Sequence, residues 1–267
     1  MALIKGTEAQ DRIGGERSGD YIKNPLSDDI IYAGSGNDTV FLNGKDTVSG
    51  GAGNDYLYGP REIYDIYMFG EAGNDYLADG RGNGKLYGGD GLDVLSGSNG
   101  NDSLYGGNNN DLLIGGEGND DVRGESGNDE LRGSRGSDNL DGGSGDDTIA
   151  GVTAVTASVT GLDVIRNSTK DRDTLTGGSG SDTFILGVSG ERPFYVSSGI
   201  NDLAYIEDFE SGRDKIQLSG LSSDYSLGVN SNYTAIYEGE GNSVDGDLVA
   251  IVKNTTNLSF SSDFTFV

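Results

Sequence analysis

The chain has no cysteine, no histidine and no tryptophan, and only three prolines among its 267 residues. Without cysteine there is no disulfide and no thiolate-bound metal. Without histidine there is no imidazole-bound zinc, and the usual general base of nucleophilic catalysis is missing. Neither an HExxH nor a GxSxG sequence occurs. Apolar residues are scarce, at 33%, where an ordinary globular domain carries roughly 45–50%. No run approaches the ~18 consecutive apolar residues that span a bilayer. The first residues, MALIKGTEAQDRIGG, hold no apolar stretch of a cleavable signal.

Positive charge is also short. Lysine and arginine total 18 against 44 acidic residues, for a net charge of −26. Low hydrophobicity with high net charge marks a chain that cannot offset its ordering entropy unaided. We therefore expect a loose state until something neutralises the acid. Such a surface repels nucleic acid, and metal cations are the partner that the charge calls for.

What the chain has in excess is glycine, 47 residues of it, and the glycines are periodic. Residues 88–150 divide into GGDGLDVLS, GSNGNDSLY, GGNNNDLLI, GGEGNDDVR, GESGNDELR, GSRGSDNLD and GGSGDDTIA. Aspartate returns at the sixth place of each: Asp93, Asp102, Asp111, Asp120, Asp129, Asp138 and Asp147. A branched apolar residue follows two places later: Leu95, Leu104, Leu113, Val122, Leu131, Leu140 and Ile149. A fixed period is the signature of stacked, repetitive architecture.

Upstream, Asp11, Asp20, Asp29 and Asp38 keep the step, with Ile13, Ile22, Ile31 and Val40 as their apolar partners. Asp46 comes one residue early and Asp55 restores the step. Asp65 and Asp75 follow at ten-residue spacing, so the unit containing GPREIYDIYM reads as slightly expanded. The next slot holds Gly84, with Leu86 keeping the apolar place. Downstream, GVTAVTASVTGLDVIRNSTK breaks the pattern and reads as an insertion at about 151–167, before Asp173 and Asp182 resume it. Roughly nineteen units span residues 6–185 on this count. Beyond 186, alternating segments such as LAYIEDF, KIQLSGL, YTAIYEG and DLVAIVK predict strands. Stacked repeats need a different sequence at their ends. We therefore expect two domains: a roll over 1–185 and an antiparallel β cap over 186–267.

One short strand per nonapeptide buries nothing alone. Two units make a coil of eighteen residues with a strand on each side, and coils stacked ~4.8 Å apart pair in parallel. Glycines at positions 1, 2 and 4 are expected to permit positive φ in the turn. Stacking sets each aspartate beside the one eighteen residues on, and like charges so close call for a counter-ion. Paired carboxylates plus loop carbonyls make an all-oxygen site, which suits calcium better than magnesium. Asp11, Asp46, Asp65 and Asp163 could equally cap turns without metal.

These units closely resemble the RTX, or haemolysin-type, calcium-binding repeat family, whose consensus is GGxGxDxUx with U a large aliphatic. The resemblance implies an all-β fold, a right-handed parallel β-roll, with roughly ten or more calcium ions. It marks Asp38, Asp55, Asp75, Asp93, Asp102, Asp111, Asp120, Asp129, Asp138, Asp147, Asp173 and Asp182 as ligands. It also implies that carbonyls at positions 2 and 4 of one loop share an ion with carbonyls at positions 1 and 3 of the loop eighteen residues on. Between loops 97–102 and 115–120 that means Ser98, Gly100 and Asp102 with Gly115, Glu117 and Asp120. The same rule adds Gly106, Asn108, Gly118, Gly124, Ser126, Gly127, Gly133, Arg135, Gly136, Gly142 and Ser144. Gly84 departs from the pattern.

Residues 201–221 resemble the region after the roll in serralysin-like members. The terminal Asp263, Phe264, Thr265, Phe266 and Val267 look like an uncleaved type I secretion signal. The resemblance thus implies export through that machinery and folding outside the cell, in the medium or at the surface. Three readings compete: a free-standing extracellular structural or matrix protein, the non-catalytic tail of an exported enzyme, and a carbohydrate-binding or adhesive module. Repeats that begin by residue 6 leave no room for a catalytic domain here, so we expect no enzyme. Tyr58, Tyr87 and Tyr105 at the ends of their units suit strand packing or sugar stacking. Further candidate partners are a surface polysaccharide or a second copy of the chain.

Overall fold

A computed structural model describes residues 28–152, 172–187, 203–239 and 247–267. It also gives the backbone of three short strands, Leu3–Ile4, Arg12–Gly14 and Tyr21–Lys23. The expected insertion falls mostly on 153–171 and the C-terminal acidic loop on 240–246, both outside the described residues. Among the described residues there is no α-helix, only a single 3-10 turn at Ser222–Asp224. No helix there is long and apolar enough to cross a membrane.

Among the described residues, successive strands up to Lys215–Leu218 alternate between two sheets, which have 12 and 13 strands in all. Within each sheet, neighbours along the regular run are parallel and eighteen residues apart: Leu86 pairs with Leu104, Leu104 with Val122, and Leu95 with Leu113. The architecture is an all-β parallel solenoid, a β-roll.

Each full strand covers positions 7, 8, 9, 1, 2 and 3 of the nonapeptide, as in Val94–Asn99. Alternation turns positions 8 and 1 inward and the others outward. Position 8 supplies the core. Ile31, Val48, Met68, Leu86, Leu104, Val122, Leu140, Leu175 and Ile206 line one sheet, and each is fully buried. Val40, Leu57, Leu77, Leu95, Leu113, Leu131, Ile149, Phe184 and Ile216 face them from the other, equally buried.

The three repeat glycines have two different jobs. Positions 2 and 4 carry positive φ, as at Gly116 (118°) and Gly118 (134°). Position 1 does not; there glycine is needed for room. A β-carbon at Gly97 would collide with Oδ2 of Asp102 and with the carbonyl oxygen of Gly115. The expectation of positive φ at all three places is thus corrected at position 1, which lies in the extended strand. Ser98, Asn109 and Glu125 hold positive φ of 70°, 77° and 73° without being glycine.

The step is 17 from Ile30 to Thr47, 20 from Thr47 to Tyr67 and 35 from Asn139 to Thr174. The expanded unit differs from its expected alignment. Met68, not Tyr67, faces inward and pairs with Leu86, while Tyr67 is 43% exposed. Counting back two places puts Ile66 in the aspartate slot, and Lys85 N–H donates to Ile66 O as Leu112 N–H donates to Asp93 O. Burial of the more apolar methionine sets the register, and Asp65 is left one place outside it.

Both sheets continue past residue 185. Leu203–Ile206 and Lys215–Leu218 join them in parallel, followed by part of Asp247–Lys253 on one sheet and Phe264–Phe266 on the other. Among the described residues, antiparallel pairing is confined to Tyr225–Val229, Tyr233–Glu238 and Asp247–Lys253, which form the capping edge of one sheet. Tyr225, Phe260, Phe264 and Phe266 pack together at the C-terminal end, with ring centroids 5.0–6.1 Å apart.

Candidate metal centre

The turns at the two edges of the roll stack into two rows. One row holds Asp38, Asp55, Asp75, Asp93, Asp111, Asp129, Asp147 and Asp182. The other holds Asp29 and Asp46, then Ile66 and Gly84, then Asp102, Asp120, Asp138 and Asp173. Every aspartate of both rows is at most 4% exposed. A buried carboxylate without compensation is costly, and in eight of these aspartates only one oxygen has a hydrogen-bond partner among the described residues.

Oδ1 is used along the stack. The N–H of Asp93 donates to Oδ1 of Asp111 at 2.7 Å, that of Asp111 to Asp129 at 2.8 Å, and that of Asp129 to Asp147 at 2.8 Å. In the second row Asp102 donates to Asp120 at 2.8 Å and Asp120 to Asp138 at 2.9 Å. Oδ2 is different. In Asp55, Asp75, Asp93, Asp102, Asp111, Asp120, Asp129 and Asp147 it is buried and accepts no hydrogen bond. Burial, the largest cause, pushes Asp55, Asp75, Asp93, Asp120 and Asp129 up to about 6, against an ordinary value of 3.8. Burial together with neighbouring carboxylates takes Asp147 to about 7 and Asp102 and Asp111 to about 8.

Carbonyl oxygens of position 1 lie beside these atoms, and those of positions 2 to 4 stack in the same turns. The position-1 carbonyls of Gly106, Gly115, Gly124, Gly133 and Gly142 point at the same space as Oδ2 of the aspartate one coil back. The carbonyls of Ser98 and Gly100 are aimed along the stack, at the α-carbons of Gly116 and Gly118, and those of Gly118 and Gly127 at Gly136 and Gly145. At position 3 the carbonyls of Asn108, Glu117, Arg135 and Ser144 each accept an N–H from the coil before, at 2.7–3.2 Å. Ser126 sits in register between Asn108 and Ser144, and Gly136 keeps the positive φ of its position. The Glu117 carboxylate points outward to Arg135 Nη1 at 2.7 Å, so only its carbonyl faces the turn.

The donor set is therefore oxygen alone. Among the described residues no three acidic side chains gather in one place, so carbonyls must complete any site. Carboxylate pairs with backbone oxygens suit a hard cation that tolerates irregular coordination, which is calcium. The residues present fit that ion.

Three features escaped the sequence reading. Position 5 forms a second, exposed ladder: Asn101 N–H donates to Asn83 Oδ1, Asn119 to Asn101 and Ser137 to Asn119, each at 2.8 Å. The signal was visible as asparagine before aspartate in unit after unit. Asp65 belongs to this outer ladder, accepting from Asn83 N–H at 3.0 Å. Beyond the repeats, Asp208, Asp214 and Asp263 close the turns at the C-terminal end. Asp208 accepts the amides of Gly177 and Gly178, and Asp214 those of Asp182 and Glu210. Asp263 accepts from Ser211, Gly212 and Ser259. Burial would raise its carboxyl, but these bonds together hold it below the ordinary range. The third feature is Asp79, whose Oδ2 is also buried without a partner.

No curated protein matches the chain. The RTX calcium-binding nonapeptide repeat matches it at residues 27–44, 42–59, 69–104, 87–122, 123–151 and 168–188. The matches leave out 60–68, within the expanded unit, and together they cover just over half of the sequence. Calcium-binding repeats, a parallel roll and two rows of buried oxygens describe one thing: the chain belongs to the RTX family of calcium-binding repeat proteins.

Proposed function

We propose that this is an exported protein whose roll folds on taking up roughly ten or more calcium ions outside the cell, where it serves as a structural element of a surface or matrix. The observation that carries this reading is the row of buried Oδ2 atoms with no hydrogen-bond partner among the described residues. The ligands are the row aspartates from Asp38 to Asp182, Asp46 excepted, with the carbonyls of positions 1 to 4 between them. Each ion neutralises two facing carboxylates, so the charge that opposes stacking becomes the reason for it. A chain of this charge stays unfolded where calcium is scarce and so remains threadable for a type I transporter. The terminal Asp263–Val267 segment is the part that such machinery would read.

The outward aromatics favour a structural role over a sugar platform. Phe69, Tyr87 and Tyr105 stack face to face at 4.9 and 4.8 Å. Tyr87 is covered on both faces, Tyr105 by Tyr87 and the Arg123 guanidinium, and Phe69 on one face. Sugar stacking needs an open face.

The test is far-UV circular dichroism of the full chain with chelator and then with millimolar calcium, alongside a count of bound ions. A spectrum unmoved by calcium would sink the proposal. Export is tested by following the chain into the medium of cells with and without a type I transporter.

A further inference from the structure

The unit 79–87 reads DGRGNGKLY, with aspartate at position 1 and glycine at position 6. Every regular unit has these two residues the other way round. Asp79 is the inward residue that follows the strand Tyr76–Ala78, and Gly84 lies in the second-row turn five residues on.

The exchange conserves the space. In a regular unit, a β-carbon at Gly88 would collide with Oδ2 of Asp93, and one at Gly97 with Oδ2 of Asp102. The hole at position 1 receives the carboxylate from position 6. In the unit 79–87, a β-carbon at Gly84 would collide with Oδ2 of Asp79. The hole is now at position 6 and the carboxylate comes from position 1. The backbone around it keeps the regular pattern. Gly84 N–H donates to Asp102 Oδ1 at 2.7 Å, as Asp93 N–H does to Asp111. Ser103 N–H donates to Gly84 O at 2.9 Å, as Leu112 N–H does to Asp93 O.

The carboxylate is also in the same chemical state as its counterparts. Asp79 is 6% exposed, its Oδ1 accepts the N–H of Gly80 at 2.5 Å, and its Oδ2 has no hydrogen-bond partner. Oδ2 of Asp102, in the next coil, is likewise buried and unpartnered. On the other side of Asp79 the regular aspartate is missing, and the outer-ladder carboxylate of Asp65 is near enough to repel Asp79. Ile66 fills the aspartate slot one coil back and Leu42 the inward place two coils back, at 0% and 2% exposure. Two buried, unpartnered carboxylate oxygens in adjacent coils, close enough for their groups to repel one another, need a cation.

We propose that Asp79 replaces the missing aspartate of its turn and, with Asp102, holds the first calcium ion of the unbroken second-row run, between loops 79–84 and 97–102. This rests on the calcium reading above and adds to it a ligand that the repeat pattern does not contain. Gly84 is then the other half of a reversed pair rather than a gap in the row.

The experiment counts calcium bound per full-length chain after equilibration at one fixed free calcium concentration. The Asp79→Asn variant is expected to bind one ion fewer than the wild type while reaching the same circular dichroism at saturating calcium. The double variant Asp79→Gly with Gly84→Asp, which restores the regular order, is expected to regain the wild-type count. An Asp79→Asn chain that binds the wild-type number, or a double variant that fails to recover the lost ion, overturns the assignment. If Asp79→Asn does not fold, the double variant decides by itself: wild-type count and fold support the proposal, and failure of both overturns it. A wild type that binds no calcium sinks the calcium reading as a whole. A wild type that binds calcium beside an indifferent Asp79→Asn sinks this assignment alone.

Discussion

The backbone N–H of Asp93 donates to Oδ1 of Asp111 at 2.7 Å, while Oδ2 of that same carboxylate is buried and accepts nothing. One oxygen builds the stack and the other is left for the ion. The two roles can be separated by substitution. Asp111→Asn keeps an oxygen that can accept from Asp93 but removes the charge that both neighbouring ions need. We expect it to fold, with the calcium midpoint of folding raised roughly tenfold or more, since ligand charge sets calcium affinity. Asp111→Ala loses the stacking bond as well, which adds roughly 1–3 kcal/mol for the amide left unsatisfied. Calcium titrations followed by circular dichroism would separate them, and equal midpoints would show that charge is not what Oδ2 supplies.

Asp120→Ala should harm calcium-dependent folding more than Asp46→Ala. Asp120 stands between Asp102 and Asp138, and its Oδ2 is unpartnered. Asp46 is just as buried, but its oxygens accept the amides of Asp29 and Gly44 at 2.9 and 3.2 Å, and its row is broken one coil on by Ile66. It acts as a turn acceptor. Its loss should lower stability at saturating calcium without changing the number of ions bound, whereas Asp120→Ala should lower that number.

The two substitutions also show what the sequence made legible. Over 88–150 the aspartate period, its apolar partner and the eighteen-residue step could all be read directly, because the unit there is uniform and each residue type has one job. Legibility failed where two residues competed for a slot. Around 60–69 both Tyr67 and Met68 could have been the core residue, and only packing decides that methionine goes in, which moves Asp65 out of the row. At 79–84 the residue type at position 6 reads as a gap, and a carboxylate arriving from position 1 becomes visible only in the folded chain. Past 185 the glycine pattern ends, yet the sheets do not, because pairing needs backbone and not the repeat. The continuation through Lys215–Leu218 and Phe264–Phe266 left no period to follow.

Glu125 tests the turn itself. It occupies position 2 with φ of 73°, where the regular unit has glycine. A side chain in this region costs roughly 1–2 kcal/mol, partly offset because glycine loses more chain entropy on folding. Glu125→Gly should therefore stabilise the calcium-loaded protein by about 1 kcal/mol in denaturant unfolding at fixed calcium. Unchanged or lower stability would mean that contacts of the Glu125 side chain outweigh its backbone strain.

Acidity should act in opposite directions with and without metal. In the fold, burial raises Asp102 and Asp111 to about 8, Asp147 to about 7, and Asp93, Asp120 and Asp129 to about 6, from an ordinary 3.8. A carboxyl whose folded value lies above its unfolded one binds protons more tightly when folded. Its contribution is full below the unfolded value, near 3.8, and is lost as pH rises through the folded value. Protons can thus stand in for the cation: with chelator present, the chain should regain part of its β signal at about pH 4.5 and lose it towards pH 8. Calcium needs the ionised form, so its apparent affinity should fall as pH drops below about 7, with protons released on binding. Circular dichroism at both pH values, with chelator and with millimolar calcium, gives the four readings. A chelated chain equally unfolded at both would show that carboxylate repulsion is not what holds the metal-free roll open.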